Sequence, residues 1–326
     1  MKAIIPAAGI GTRLRPHTYT LPKALLYVAG KTILSHILDD VVALGPSSIV
    51  LIVGYKGELI EEYVRKHYPD LQVDFVVQEE RRGIAHAVDM TRSVADTGEQ
   101  LLIVLGDTII RTDLERITKS ASNALGAKEV EDPRRFGVAE TDGGRITRLV
   151  EKPAEPKSNL ALVGLYWLQD SRPLFEAIKY VIDNDITTKG EYQITDALQK
   201  MIDDGAVFEP FPIDEWFDCG KPEAMLETNR KLLEDGPGSP LVDGSIIVPP
   251  VSISPGAEIV NSIIGPYVSV AEGVTVTNAI IRDSVVAEGA SIRDALLESS
   301  LVGNNAVITG GFQQVDVGDS SEITFK

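Results

Sequence analysis

Bare backbone and strong phosphate-binding side chains come together at the start of this chain. Residues 1–23 read Met1-Lys-Ala-Ile-Ile-Pro-Ala-Ala-Gly-Ile-Gly-Thr-Arg-Leu-Arg-Pro-His-Thr-Tyr-Thr-Leu-Pro-Lys23. A short apolar strand, Ala3 to Pro6, runs into Ala7, Ala8, Gly9, Gly11 and Thr12. Small side chains there leave backbone N–H groups open to a polyphosphate. Arg13 adds a rigid fork of donors that matches phosphate oxygens, and Lys23 adds a mobile point charge for the same anion. The chemistry indicated is phosphate handling.

Two familiar glycine loops are excluded. A P-loop needs Gly-Lys-Ser/Thr after its glycines, and a Rossmann fingerprint needs a third glycine where this chain has Leu14. Farther along, Leu105-Gly106-Asp107 closes an apolar run. A carboxylate there suits Mg²⁺, which takes few protein ligands beside nucleotide phosphates; a helix cap at Asp107-Thr108 is the alternative. Val150-Glu151-Lys152-Pro153 sets opposite charges side by side. On a strand the two point to opposite faces, so an ion pair between them is not an adequate explanation. No His or Cys cluster competes for a metal, so an oxygen-ligand site is the consistent choice.

The pattern Gly-x-Gly-Thr-Arg-Leu-x-Pro-x-Thr-x-x-x-Pro-Lys, Gly9 to Lys23, resembles the signature of the sugar-nucleotide pyrophosphorylases. Within that family the chain is most similar to glucose-1-phosphate thymidylyltransferases and uridylyltransferases, as far as about residue 235. The resemblance implies a set of roles. Trp216-Phe-Asp218-Cys-Gly220-Lys-Pro-Glu223 matches a segment whose Asp is a metal ligand, which makes Asp107 and Asp218 the Mg²⁺ pair. Gln78 and Gly83 match the segment that reads the nucleobase, and a Gln amide offers the donor and acceptor that suit uracil or thymine. His86 reads as packing or support for such a residue. Glu151 and Lys152 match the pair that meets the sugar hydroxyls and the sugar phosphate. Gly137, Gly164 and Tyr166 match positions lining the sugar pocket. Lys189 stands where the family has Arg beside the sugar phosphate, a point charge in place of a fork.

The implied reaction is NTP plus sugar 1-phosphate giving NDP-sugar and pyrophosphate, with dTTP or UTP and glucose 1-phosphate as substrates. The attacking phosphate oxygen is already an anion, so catalysis reduces to positioning and charge neutralisation by Arg13, Lys23, Asp107, Lys152 and Asp218. A mannose-1-phosphate guanylyltransferase and a non-catalytic sugar-nucleotide-binding subunit are the alternatives. An added acyltransferase is rejected, because the histidines (17, 36, 67 and 86) all precede the C-terminal region.

These residues need elements to carry them. Strands are expected at Ile49–Val53, Val73–Val77, Leu101–Leu105, Val138–Glu140 and Leu160–Leu168. Helical spacing covers Thr32–Leu44, Leu59–His67, Ala85–Val94 and Leu114–Ala124. Alternation of this kind argues for a Rossmann-like, mostly parallel sheet with ligands at the carboxyl ends of its strands. A helix-rich stretch from Ser171 to Leu233 follows, broken by a strand at Val207–Pro212. The domains expected are a nucleotidyltransferase domain over 1–235, a linker over 236–245 and a left-handed β-helix over 246–326. The β-helix follows from a triplet of apolar positions, Ile264/Val270/Val276, recurring at Ile281/Val286/Ile292 and Leu297/Val302/Ile308. Ser269, Thr275, Thr277, Ser284 and Ser291 would give these coils a small polar surface for self-association.

Composition sets the limits. Of 326 residues, 48 are acidic and 31 basic, a net charge of −17 that argues against wrapping nucleic acid. Cys219 is the only cysteine, which fits a reducing compartment. With no leader pattern and no apolar run of membrane-spanning length, a soluble cytoplasmic homo-oligomer is expected.

Overall fold

The computed structural model describes residues 1–234, 236 and 241–310, which fall into two compact units. One comprises Met1–Tyr27 with Lys31–Met225; the other comprises Val28–Gly30 with the chain from Leu226 on. Part of the expected linker (Pro237–Pro240) and residues 311–326 of the expected β-helix lie outside the described residues.

Element order begins β1 (Lys2–Pro6), β2 (Tyr27–Val28), β3 (Lys31–Thr32), α1 (Ile33–Ala43), β4 (Ser48–Val53), α2 (Gly57–His67) and β5 (Val73–Val77). It continues α3 (Ile84–Asp89), α4 (Arg92–Ala95), β6 (Leu101–Val104), β7 (Thr108–Arg111), α5 (Leu114–Thr118) and β8 (Asn123–Glu129). Then come β9 (Gly137–Asp142), β10 (Arg145–Glu151), β11 (Leu160–Leu168), α6 (Arg172–Asp183) and α7 (Ile194–Asp203). β12 (Phe208–Pro212), β13 (Glu215–Asp218) and α8 (Pro222–Glu234) complete the series.

The main sheet runs β10-β9-β11-β6-β1-β4-β5, with β8 on β11 and β12 on β8. Strands β1, β4, β5 and β6 are parallel, pairing Ala3 with Ile49 and Ile4 with Ile103. Strands β1, β4 and β6 are apolar on both faces because helices cover both, so Ile4, Ile5, Ile49–Ile52 and Leu102–Ile103 are fully buried, whereas the edge strand β5 is only partly buried. Beyond β6 the sheet turns antiparallel through β11, β9 and β10.

Two helices differ from expectation. The stretch Leu114–Ala124 is helical only to Thr118, and β8 starts at Asn123. Ser120 Oγ accepts from Ser122 N at 3.2 Å and turns the chain, and Gly126 packs so tightly that a Cβ there would lie 2.8 Å from Leu165. The Ala85–Val94 stretch divides between α3 and α4, where Thr91 Oγ1 bonds back to Val88 O at 2.7 Å. The short strand β13 was not expected from the sequence; it pairs with β7 and places Asp218 opposite Thr108.

The second unit is a left-handed parallel β-helix with three four-stranded faces. Ile264, Ile281 and Leu297 stack in register, as do Val270, Val286 and Val302, and Val276, Ile292 and Ile308. A first coil carrying Ile247, Ile253 and Ile259 joins the same three columns. At one corner Asn261, Asn278 and Asp294 all take left-handed φ and bond in a ladder, Nδ2 to Oδ1, at 2.8 and 2.9 Å. The small polar surface expected here needs correction. Thr275 is exposed, but Ser269 and Ser284 are fully buried. Ser269 donates to Asn229 Oδ1 of α8 at 2.6 Å, and Ser284 Oγ accepts from Ser300 N at 3.0 Å, so both belong to interior hydrogen bonding.

Candidate functional site

The loop after β1 forms because Gly11 takes a left-handed conformation, φ 69° and ψ 42°, that an L side chain resists. A Cβ there would also meet Lys23 Cβ at 3.0 Å and Thr18 Cγ2 at 3.1 Å. Thr18 Oγ1 fastens the loop by donating to Gly11 O at 2.8 Å. The chain then turns through Thr12–Leu14, leaving Arg13 exposed at the carboxyl edge of the parallel strands.

A cavity of about 360 Å³ opens at this edge. Ala7, Ala8, Gly9, Gly11, Thr12, Arg13, Lys23, Gln78, Gly83 and Asp107 all line it. Lys23 is not the mobile charge expected. Its side chain is buried and its Nζ lies 2.8 Å from Asp107 Oδ2, while Asp107 is half exposed to the cavity. Asp107 does not cap a helix, because Thr108 begins β7. Gln78 is buried, with Nε2 donating to Gly83 O at 3.3 Å and standing 3.5 Å from His86 Nδ1. Burial, then the nearby Arg82 charge, lowers the His86 pKa and favours a neutral ring behind the Gln78 amide.

A second cavity, of about 430 Å³, is lined by Gly137, Glu151, Lys152, Gly164, Tyr166, Lys189 and Asp218. The two cavities share Arg13, Ile84, Leu105, Asp107 and Glu191. The alternation argument for Glu151 and Lys152 is overturned. Strand β10 ends at Glu151, and Lys152 takes a left-handed φ of 44°, so its Nζ folds back to Glu151 Oε1 at 2.9 Å. Glu151 also accepts from Thr195 Oγ1 at 2.8 Å. Burial raises the pKa of the Tyr166 phenol, and the charges of Glu151 and Asp107 raise it further, so the hydroxyl stays protonated.

Asp218 ends β13 beside Gly220. A Cβ on Gly220 would sit 2.8 Å from Asp218 Oδ1 and 3.1 Å from an Arg13 terminal nitrogen, so the carboxylate and the guanidinium flank this glycine. Among the described residues no three His, Cys, Asp or Glu gather as a metal cluster. Asp107 and Asp218 both line the second cavity, and carboxylates beside phosphate are the few protein ligands that Mg²⁺ takes. Sequence reasoning passed over Arg81 of the first cavity, Arg135 and Thr195 of the second, and Glu191, which lines both. All four lie close to residues already singled out: Arg81 between Gln78 and Gly83, Glu191 and Thr195 after Lys189, and Arg135 just ahead of Gly137.

Phosphate loop, shared carboxylate edge and paired cavities together define an α/β nucleotidyl-transferring enzyme. Residues 2–235 match the Nucleotidyl transferase family, and the chain belongs to it. Among its relatives is the UTP–glucose-1-phosphate uridylyltransferase AglF of Haloferax volcanii, 36% identical over 72% of this chain and 98% of that one. The low-salt glycan biosynthesis nucleotidyltransferase Agl11 of the same organism is 35% identical over 72% of this chain and 67% of its own length. A glucose-1-phosphate thymidylyltransferase of Streptomyces antibioticus is 34% identical over 80% of this chain and 75% of its own. A Bacillus anthracis structure assigned as a glucose-1-phosphate thymidylyltransferase, in complex with a sucrose, superposes with a TM-score of 0.62 at 26% identity, covering 73% of this chain and 98% of that one. No helix among the described residues is long and apolar enough to cross a membrane.

Proposed function

We propose that the enzyme joins dTTP or UTP to glucose 1-phosphate, releasing pyrophosphate. The observation that carries this reading is the meeting of the two cavities at Arg13 and Asp107. The first has bare backbone and cations for a triphosphate, and a Gln amide for the base. The second has a carboxylate and a buried hydroxyl for sugar hydroxyls, and Lys152 and Lys189 for the sugar phosphate. The names of the uridylyl- and thymidylyltransferase relatives support the same substrates.

In this reading Lys152 and Lys189 hold the sugar phosphate so that its oxygen faces the α-phosphorus in line. Arg13 and Lys23 stabilise the charge that grows on the departing pyrophosphate. Asp107 and Asp218 hold Mg²⁺, which supplies further neutralisation of the phosphate oxygens when bound. No residue need act as a general base. The test is a panel of four NTPs against several sugar 1-phosphates, scored by pyrophosphate release. Turnover confined to GTP with mannose 1-phosphate would favour the guanylyl alternative, and no turnover with any pair would refute the reading.

The β-helix supports self-association. Ile246, Ile263, Ile280 and Leu296 form one in-register column that points outward, with Ile246 60% and Leu296 78% exposed. Such an apolar ladder invites a second copy of the same face. The double substitution Ile280→Glu with Leu296→Glu should lower the mass read by light scattering; an unchanged mass would remove this face from the assembly.

A further inference from the structure

Among the cations of the sugar-side cavity, Arg135 is placed differently from the rest. Lys152 rests on Glu151, whereas the Arg135 guanidinium lies 3.6 Å from Asp218 Oδ2 and is half exposed. That separation is an electrostatic contact and not a hydrogen bond. The guanidinium also stands 5.8 Å from the centre of the Phe136 ring, and Phe136 packs edge-on against Trp216 at 4.6 Å, two residues before Asp218. The backbone beneath is held firmly. Phe136 N donates to Pro133 O at 3.0 Å, and Lys152 N donates to Phe136 O at 2.9 Å. One closed turn thus presents Arg135 and, through a backbone bond, Lys152. The side chain of Arg135 lies over the Phe136 ring and lines the same cavity as Asp218 and Lys152.

We infer that Arg135 is a positioning residue shared between Asp218 and the sugar phosphate. This rests on the metal role proposed above for Asp218. Without a divalent cation the guanidinium neutralises Asp218. A cation arriving at that carboxylate repels it, and the phosphate of the sugar substrate is the anion its planar fork then fits. Cation and sugar phosphate therefore bind with positive coupling, and the coupling is reciprocal.

The experiment uses the full chain without NTP, so that no turnover occurs, and measures binding of Mn²⁺ and glucose 1-phosphate singly and together by calorimetry. Arg135→Gln should bind Mn²⁺ about threefold more tightly, the scale of one partly exposed ion pair. It should bind glucose 1-phosphate in the presence of Mn²⁺ about tenfold more weakly, the scale of a lost charge-assisted hydrogen bond. Arg135→Lys keeps the charge and should leave Mn²⁺ affinity near that of the parent. The control is Arg65→Gln, an exposed helix residue paired with Glu61 at 2.7 Å, which should move neither affinity. Unchanged or weaker Mn²⁺ binding in a folded Arg135→Gln protein would overturn the inference, as would unchanged sugar phosphate binding. If Asp218→Asn binds Mn²⁺ as the parent does, the metal assignment itself fails and the inference falls with it.

Discussion

Gly83 offers a sharp test of how the nucleotide cavity is built. It sits at φ 111° and ψ 174°, a region open almost only to glycine. A Cβ there would lie 2.3 Å from Tyr192 O and 2.7 Å from Tyr192 N, both backbone atoms that cannot swing aside. Relieving the clash would disturb Ala85 N to Tyr192 O at 3.0 Å and Tyr192 N to Arg82 O at 2.7 Å. Backbone strain of about 2 kcal/mol and two hydrogen bonds of about 1 kcal/mol each put the cost of Gly83→Ala at about 4 kcal/mol. Thermal unfolding of the catalytic unit should then fall by roughly 8–16 °C. If the segment around Gly83 releases instead, the lost Gly83 O contact to Gln78 should raise the KM for NTP at least about tenfold. Gly45→Ala is the comparison, with φ 64° and nothing within 4 Å of its Cβ, so it bears strain without a clash. A Gly83→Ala protein with parental melting and parental KM for NTP would refute the reasoning.

Three further outcomes are expected. Asp107→Asn and Asp218→Asn should each abolish pyrophosphate release while circular dichroism stays unchanged, and near-normal turnover in either would mean the metal pair is misassigned. Lys152→Ala should raise the KM for sugar 1-phosphate about tenfold or more, the worth of a hydrogen bond to a charged group, and leave the KM for NTP within about threefold; equal losses would contradict its role. Hydrogen bonds from Arg230, and then from Ser299, hold the Asp283 carboxyl below its usual pKa. Its stabilisation is therefore complete above the unfolded pKa of about 3.9 and drains away as pH falls through the lower folded value. Asp283→Asn should cost about 1 kcal/mol at neutral pH, discounted for the exposed Arg230, and show no such loss in acid. Parallel stability profiles for the two proteins below about pH 4 would count against the pair.

That the loop after β1 lines a cavity with Arg13 and Lys23 was legible because these residues lie within one stretch of chain. The partner that immobilises Lys23 was not legible, since Asp107 arrives from another strand. For Glu151 and Lys152 the period-two rule misled, because one left-handed residue reverses the side chain and no residue type announces it. The β-helix interior could be read because register there is the sequence period itself. Ser269 and Ser284 fit the same polar pattern as Thr275, yet burial by Asn229 and by the next coil decides their role. The helix over Leu114–Ala124 ran too far because Ala124-Leu-Gly-Ala has no period of its own; Gly126 is there for the close approach of Leu165.

Each coil of the β-helix bonds to the coil before and after it, through the Asn261–Asn278–Asp294 ladder among others. Helix α8 is tied to the second coil at Ser269 and to the third at Asp283. Stability in such a stack accumulates coil by coil. A stack of this kind is a place where descent can add or delete a whole rung of sixteen or so residues without renegotiating the phosphate chemistry. Reach and assembly size could drift among descendants of this protein while the pocket stays under separate selection.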